Sequence, residues 1–429
     1  MSRKASKPSC LSESQSSKAN SAKTSVFLYP SRKITRDVSK MRKVAVVGIG
    51  NSKFGVRSDV TIAELAFEAV NPSLQDAGLD AKDIQFVALG SVGAGAWYEE
   101  LLPAVVISEY CGMTRAGLVR CEAACASGSA AFFTAYSAIA SGQADIVMAL
   151  GAEKMREIDS ATAMEWIGRA GYYTWEFHNF GVTFPAYYAL YATAHMAKYG
   201  TTEEDLALVA VKNHKYAALN PIAHLQNKVT VDDVLSSMVI ASPLKLYDCC
   251  PLTDGASSVI LASEEKVKEL KVETPVWVSG IGYSSGTANL SKRSDFVGLE
   301  ASVLASKNAY KAAGVMPDQI DFAEVHDCFT IAETMAYEDI GLCPKGEGTK
   351  LLREGQTEIG GKIPVNMDGG LKAKGHPIGT TGCSMMYELT KQLRGEAEKG
   401  RQVPLKNYIG LAHNVGGTGH YCYVTILRR

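Results

Sequence analysis

One pattern in this chain occurs twice. From Met41 the sequence runs Lys43-Val-Ala-Val-Val-Gly-Ile-Gly50, which reads as a strand, followed by a helical stretch from Ile62 to Ala77 stopped by Gly78 and a second strand from Ile84 to Leu89. Pro275-Val-Trp-Val-Ser-Gly-Ile-Gly282 opens the same series again, with a helix from Ala301 to Ala313 stopped by Gly314 and a strand from Ile320 to Val325. Gly78 and Gly314 are 236 residues apart, and Asp76-Ala77-Gly78 with Ile84 and Phe86 aligns with Ala312-Ala313-Gly314 with Ile320 and Phe322. The duplication restricts the fold to two similar α/β halves. Such halves pack about a pseudo-two-fold axis where equivalent loops meet, so a site on that axis draws residues from both.

Composition narrows the function classes. Over 429 residues, 46% hydrophobic and 21% charged content excludes a disordered or fibrous chain. The formal charge of −1 conceals an asymmetry: residues 1–40 hold nine Lys/Arg, two Asp/Glu and eleven Ser, so the rest of the chain is acidic. An acidic body without a basic cluster lacks the electrostatic footprint that a nucleic-acid backbone requires. No uncharged apolar run reaches the roughly 18–20 residues of a membrane span, and residues 1–40 lack the apolar middle of a secretory signal. The expectation is a soluble, cytoplasmic protein. The tail reads as a dispensable disordered extension or, being Ser-rich and acid-poor, as an organellar transit peptide. Ten cysteines with no CxxC pair suit free thiols in a reducing compartment.

Cys125 lies in Leu118-Val-Arg-Cys-Glu-Ala-Ala-Cys-Ala-Ser-Gly-Ser, where a short strand gives way to small residues and a helix begins. A thiol at such a turn feels the positive end of the helix dipole, which favours thiolate and so a nucleophile. The bland alternative is a small buried hydrophobe. In the second half, Gly369-Gly-Leu-Lys-Ala-Lys-Gly-His-Pro-Ile-Gly-Thr-Thr-Gly opens on a helix from Cys383 to Gln392 and puts His376 where Cys125 falls. An imidazole meeting a thiol across the axis can take its proton. Glu324-Val-His-Asp-Cys-Phe-Thr places His326, a hydrogen-bond donor, and Cys328, a proton carrier, at a strand end, where α/β sheets present such groups. Ala412-His-Asn-Val-Gly-Gly-Thr-Gly-His adds His413 and glycines whose backbone N–H groups can approach a reacting oxygen. The pairs Cys121/Cys125, Cys249/Cys250 and His413/His420 fit no standard zinc spacing, so no metal is expected.

Together, Cys125-Ala-Ser-Gly, Pro251-Leu-Thr-Asp-Gly-Ala, His326-Asp-Cys-Phe, Gly375-His-Pro-Ile-Gly and His413-Asn-Val-Gly-Gly resemble the thiolase superfamily, specifically its sterol-carrier-type and archaeal-type acyltransferases, over residues 41–429. The resemblance implies a thiolase-like α/β fold, two duplicated halves in five layers (αβαβα) with an inserted loop domain. The matching division is a tail, 1–40; an N-terminal half, 41–160; the loop domain, 161–240; a return to the first half, 241–272; and a C-terminal half, 273–429. It also implies CoA-dependent cleavage of a 3-oxoacyl-CoA, or the reverse Claisen condensation, through an acyl-cysteine. On that pattern Cys125 is the nucleophile, His376 activates it, His326 with a water donates to the thioester enolate, and Cys328 carries the proton. Backbone amides at Cys125 and near Gly416 form a second oxyanion hole. His326-Asp-Cys-Phe replaces the Asn-Glu-Ala-Phe of many thiolases, and His413 stands near where they carry a Cys, so His413 is the alternative acid/base. Coenzyme A is a co-substrate and no bound cofactor is expected. The implied partners are a second copy, as dimer or dimer of dimers, and a small zinc-ribbon and OB-fold subunit, since no Arg/Lys cluster for the coenzyme A phosphates stands out in the sequence.

Trp166 to Tyr191 carries ten aromatics in 26 residues, without counterpart in the second half. It is either a satellite core beneath long loops or an aromatic wall for a bulky acyl group. The wall points to a degradative enzyme with a bulky or aromatic substrate, such as a benzoylsuccinyl-CoA-like one. An insert packed away from Cys125 points instead to an acetoacetyl-CoA-forming acetyl-CoA C-acetyltransferase. A non-catalytic acyl-CoA or lipid-binding protein of the same fold is the second alternative, and the four residues Cys125, His326, Cys328 and His376 weigh against it. Decarboxylating ketoacyl synthases need no acid/base thiol, and the retro-aldolase branch lacks the nucleophilic Cys.

Overall fold

Glycines on the first strand of each half let a helix lie directly on the sheet. In β1 (Val44–Asn51), a Cβ on Gly50 would stand 2.0 Å from the Ala69 carbonyl oxygen of α1 (Ile62–Ala77). In β8 (Val276–Ser285), one on Gly282 would stand 1.9 Å from the Ala305 oxygen of α9 (Glu300–Ala313). Both helices then stop on a left-handed glycine, Gly78 and Gly314, each at φ 65° and ψ 35°. The repeat in the sequence is therefore a repeat of backbone packing. The computed structural model describes residues 41–429, and the readings of the tail lie outside the described residues.

The other strands are β2 (Phe86–Gly90), β3 (Gly117–Cys121), β4 (Ile146–Glu153), the hairpin of β5 (Val239–Ala241) and β6 (Leu244–Lys245), β7 (Gly255–Ser263), β9 (Phe322–Val325), β10 (Ile409–Gly416) and β11 (Tyr421–Arg428). Apart from the hairpin they form one sheet in the order β3-β2-β4-β7-β1-β8-β11-β10-β9. Outward from the centre the halves share a plan: β1 or β8, then antiparallel β7 or β11, then antiparallel β4 or β10, then parallel β2 or β9. β3 adds in parallel beyond β2, and its counterpart is a single parallel bridge, Ala323 to Val365. The halves join through two register pairs, Ala45–Trp277 and Val46–Val276.

Between the halves, α3 (Ser127–Ala140) packs on α12 (Thr381–Arg394), and α12 lies against strands of both. Small residues at the start of α3 permit the approach, and Cys383 Sγ donates to the Gly128 carbonyl at 3.4 Å. With α1 outside one half and α9 outside the other, the layers run helix, sheet, helix, sheet, helix. A short helix, α8 (Glu264–Glu269), leads from β7 to β8, and α2 (Pro103–Tyr110) precedes β3. The segment between β4 and β7 carries α4 (Ser160–Gly168), α5 (Phe184–Tyr199), α6 (Glu203–Ala217) and α7 (Val231–Leu235), and packs on α10 (Thr330–Asp339) and α11 (Gly348–Arg353) of the second half. A buried polar seam ties it down: Asn213 Nδ2 donates to Asp327 and Glu333 at 2.7 Å each, and Lys212 pairs with Glu333 at 2.9 Å. Among the described residues no helix is long and apolar enough to cross a membrane.

Candidate active site

The turn between β3 and α3 is pinned by one hydroxyl. Ser127 Oγ accepts from Ala123 N at 2.8 Å and donates to Ala124 O at 2.7 Å, while Glu122 accepts from Ala124 N at 2.6 Å. Ala124 is held at φ 49°, a left-handed conformation that costs a non-glycine residue about 1 kcal/mol or more. Cys125 follows it and is only 4% exposed. Across the axis, a Cβ on Gly416 would stand 2.1 Å from Ala123 O, so only glycine lets the end of β10 reach this turn. The backbone N–H groups of Cys125 and Gly417 face the thiol. The sequence points to a second donor near Gly416; Gly416 is paired with Tyr421 in the β10–β11 ladder, and the N–H that faces the thiol belongs to Gly417, the first residue past it.

Three atoms from three segments converge. Cys125 Sγ and one ring nitrogen each of His326 and His376 lie within 4.8 Å of one another, all buried, and the two rings meet edge to face with centroids 5.1 Å apart. Hydrogen bonds set the tautomers. Thr381 Oγ1 donates to Pro377 O at 3.1 Å and so accepts from His376 Nδ1 at 2.7 Å, which leaves His376 Nε2 as a bare lone pair. Asn414 is oriented by its neighbours: its Oδ1 accepts from Ser129 Oγ at 2.8 Å, and its Nδ2 donates to Cys125 O at 3.2 Å. That Nδ2 also donates to His326 Nδ1 at 3.1 Å, so the His326 proton sits on Nε2, buried and without a partner. One imidazole offers the pocket a lone pair and the other an N–H. A zinc ion would need lone pairs from both, and Asn414 denies one at His326, so the trio does not fit a metal.

Burial dominates the electrostatics. It pushes the Cys125 thiol up to about 12, against the two facing N–H groups, with Glu153 and Glu122 adding to the rise. Burial and the two carboxylates thus oppose the thiolate that the helix dipole favours, so ionisation of Cys125 calls for a base beside it. Burial, with Lys374 nearby, pushes His376 down to about 3, and burial with His376 and His413 holds His326 well below the usual imidazole range. Both rings are neutral at pH 7. Because alkylation needs the thiolate, iodoacetamide labelling of Cys125 in the free enzyme is expected to quicken about tenfold per pH unit from roughly pH 6 to 9. Mass-resolved labelling rates check this, and a plateau near neutrality would reveal a resting Cys–His ion pair instead.

Cys328, just past β9, is buried but outside the trio, and burial holds its thiol well above the usual range. Asp327 between His326 and Cys328 turns away, accepting from Asn213 Nδ2 and from the Leu371 and Lys372 amides. His413 does not reach the pocket. Strand alternation sends Asn414 toward Cys125 and His413 to the opposite face, where its Nε2 bonds Ser302 Oγ of α9 at 2.8 Å. Asn414 is thus a site residue that the sequence reading missed, legible only from strand parity. Glu153 is another. At the end of β4 it accepts from Val92 N (2.8 Å), Gly93 N (2.9 Å) and Gly379 N (3.0 Å), tying a first-half loop to the His376 segment, and burial raises its carboxyl to about 7. The aromatic run divides. Trp175 and Phe180 stack on each other at 53% and 71% exposure, whereas Phe184, Tyr187, Tyr188 and Tyr191 are buried. A cavity of about 690 Å³, lined by Trp97, Glu122, Ala124, Trp166 and Arg169 among others, opens at the turn before Cys125.

Comparison with known proteins agrees with this architecture. Residues 44–265 match the thiolase N-terminal domain, and residues 282–429 match the family described as thiolase C-terminal domain-like. The chain is 44% identical to an acetyl-CoA acetyltransferase of Methanothermobacter thermautotrophicus over 389 residues, 91% of this chain and 100% of the relative. It is 34% identical to the benzoylsuccinyl-CoA thiolase subunit BbsB of Thauera aromatica (88% of this chain, 95% of the relative) and 34% identical to sterol carrier protein 2 of Homo sapiens (88% and 70%). Among solved structures, the Ltp2-ChsH2(DUF35) aldolase superposes with a TM-score of 0.78 at 26% identity, over 90% of this chain and 97% of that one. Two matching domains in the order of the two halves, and relatives above 30% identity spanning most of the chain, make this protein a member of the thiolase family of acyltransferases.

Proposed function

We propose that this chain catalyses CoA-dependent cleavage of acetoacetyl-CoA into two acetyl-CoA, and the reverse condensation. The observation that supports the chemistry is the pair of oppositely polarised imidazoles at one thiol. His376 Nε2 takes the Cys125 proton as Sγ attacks the 3-keto carbon, and the oxyanion that forms lies against the Cys125 and Gly417 N–H groups. A donor of that kind is worth about 2.7–4 kcal/mol in the transition state. The bond between carbons 2 and 3 then breaks, leaving the acyl group on Sγ and the electron pair on the acetyl-CoA enolate. The enolate oxygen accepts from His326 Nε2–H, and the Cys328 thiol gives the α-carbon its proton, becoming a thiolate. That thiolate takes the proton of an incoming CoA thiol, whose sulfur displaces Cys125, and Cys125 recovers its proton from His376.

Tyr188 supports the acetyl-sized substrate. It is fully buried, and its ring stacks at 4.5 Å on Phe329, the neighbour of Cys328, so this part of the aromatic insert is closed packing and not open pocket. Trp175 and Phe180 face solvent and Trp166 alone of the run's aromatics lines the cavity at the Cys125 turn, so the bulky-acyl expectation yields to its alternative, in keeping with the names of the relatives at 44% and 39% identity. Thiolysis followed by product mass tests this. kcat/KM for acetoacetyl-CoA is expected to exceed that for benzoylsuccinyl-CoA by at least about 100-fold, the size of a few kcal/mol of steric exclusion, and the reverse preference would sink the assignment.

A second copy of the chain is the partner we assign to the sheet edge. β3 has no neighbour on its outer side among the described residues, and beside it Leu101, Leu102, Val105, Val106 and Tyr110 are exposed. The DUF35 component named in the structural relative supports a small subunit that completes the coenzyme A site.

A further inference from the structure

We infer that Asp327 is a positioning residue for the reaction: its carboxylate, held between His326 and Cys328, caps the turn that carries His376 and so sets the spacing of the two imidazoles. The inference rests on the roles proposed for His326 and His376. Asp327 follows the end of β9 and is fully buried. Its Oδ1 accepts from Leu371 N at 2.7 Å, and its Oδ2 accepts from Lys372 N at 3.2 Å and from Asn213 Nδ2 at 2.7 Å. Every one of these partners is a donor, so the charged form is the one the packing accepts. Gly370, at φ 58°, lets the carboxylate in: a Cβ there would stand 2.2 Å from Asp327 Oδ2.

Leu371 and Lys372 belong to a wide helical turn, Gly370–Lys374, that leads through Gly375 into His376. Such a turn opens on amides that have no partner within it. Here the neighbouring Asp368 takes the Gly370 amide at 2.7 Å, and Asp327 takes the next two from another segment. The strand-end side of this clamp is stiff, since Val325 N donates to Asn366 Oδ1 at 2.8 Å and Cys250 N to Cys328 O at 3.0 Å. The exit of the turn is held by His224 N, which donates to Lys374 O at 2.9 Å, so its entry is the end that Asp327 fixes. Thr381 sets the tautomer of His376 and Asn414 that of His326, but neither ties one imidazole segment to the other. Asp327 does, and a shift of about 1 Å in a reacting group can cost on the order of a hundredfold in rate.

The test is steady-state thiolysis of acetoacetyl-CoA by D327N, with Y337F, H376A and the D327N/H376A double variant alongside. The D327N side chain has the carboxylate's shape but one acceptor oxygen where two are used, so its NH2 must face an N–H donor. Its kcat is expected to fall about ten- to a hundred-fold, the size of a hydrogen bond to a charged group, with KM changed less than about threefold. Adding D327N to H376A should cost less than about threefold more, because without the imidazole the clamp has no base to place. Y337F is the control for stability alone: the Tyr337 hydroxyl donates to Glu333, which shares Asn213 with Asp327 but bonds no part of the turn. It should lower the melting temperature and keep the parent kcat. Losses in D327N and H376A that multiply, parent kcat in D327N while H376A is impaired, or an equal fall of kcat in Y337F each overturn the positioning role. Parent activity in H376A overturns the base assigned to His376 and the inference with it. Should D327N fail to fold, an ester in place of the Leu371 amide removes one of the two bonds without changing a side chain: kcat should then fall about tenfold, and an unchanged kcat overturns the proposal.

Discussion

A Cys125→Ala variant is expected to lose thiolysis and condensation by more than about 10⁴-fold, the scale on which removal of a covalent nucleophile acts, and to show no acyl adduct when incubated with acetyl-CoA. The fold should survive. The turn is held by Ser127, Glu122 and the backbone, none of which uses Sγ, and alanine fits a buried site already flanked by Ala124 and Ala126. The His326 and His376 tautomers depend on Asn414 and Thr381, so the pocket should keep its polarity and still bind acyl-CoA. Rapid quench and intact-protein mass spectrometry separate the outcomes. An adduct that persists, on Cys328 for example, would reassign the nucleophile.

The second large effect is expected at His376. With the thiol raised to about 12, only about one Cys125 in 10⁵ is ionised at pH 7, so attack without a base is limited to that fraction. His376→Ala should lower kcat by about 10²–10⁴, the range for a positioned general base. The pH dependence supplies the signature. Because the thiolate fraction grows as pH rises toward a thiol near 12, the variant should regain activity about tenfold per pH unit up to roughly pH 9. The parent, whose His376 titrates near 3 and is neutral throughout that range, should be nearly flat. A variant with a flat profile and most of its activity would mean that another group deprotonates Cys125.

Much of the site was legible because of the duplication. Equivalent turns before α3 and α12 had to meet at the pseudo-axis, which brought Cys125 to His376, and the strand end at β9 brought His326 beside them. What the sequence left open was short-range. His413 and Asn414 are neighbours in a buried strand whose residues all read as inward in composition, and parity alone separates the one that faces Cys125 from the one that faces α9. Gly416 and Gly417 differ by whether the β10–β11 ladder still pairs them. The aromatic run, uniform in the sequence, divides into an exposed stack and a buried wedge because Phe184 begins a helix that packs against Phe329.

The sequence by itself determined the two halves, the order of their elements and the identity of the thiol and imidazoles at the centre, since glycine stops, strand and helix periods and repeated motifs are local signals. Only the tertiary structure decided the state of those groups. The Cys125 proton depends on burial summed over both halves, and the His326 tautomer on an asparagine 88 residues away that is itself oriented by a serine 285 residues from it. Ionisation and tautomer are properties of everything that surrounds an atom, and the neighbours that set them here are brought together by the packing of the two halves.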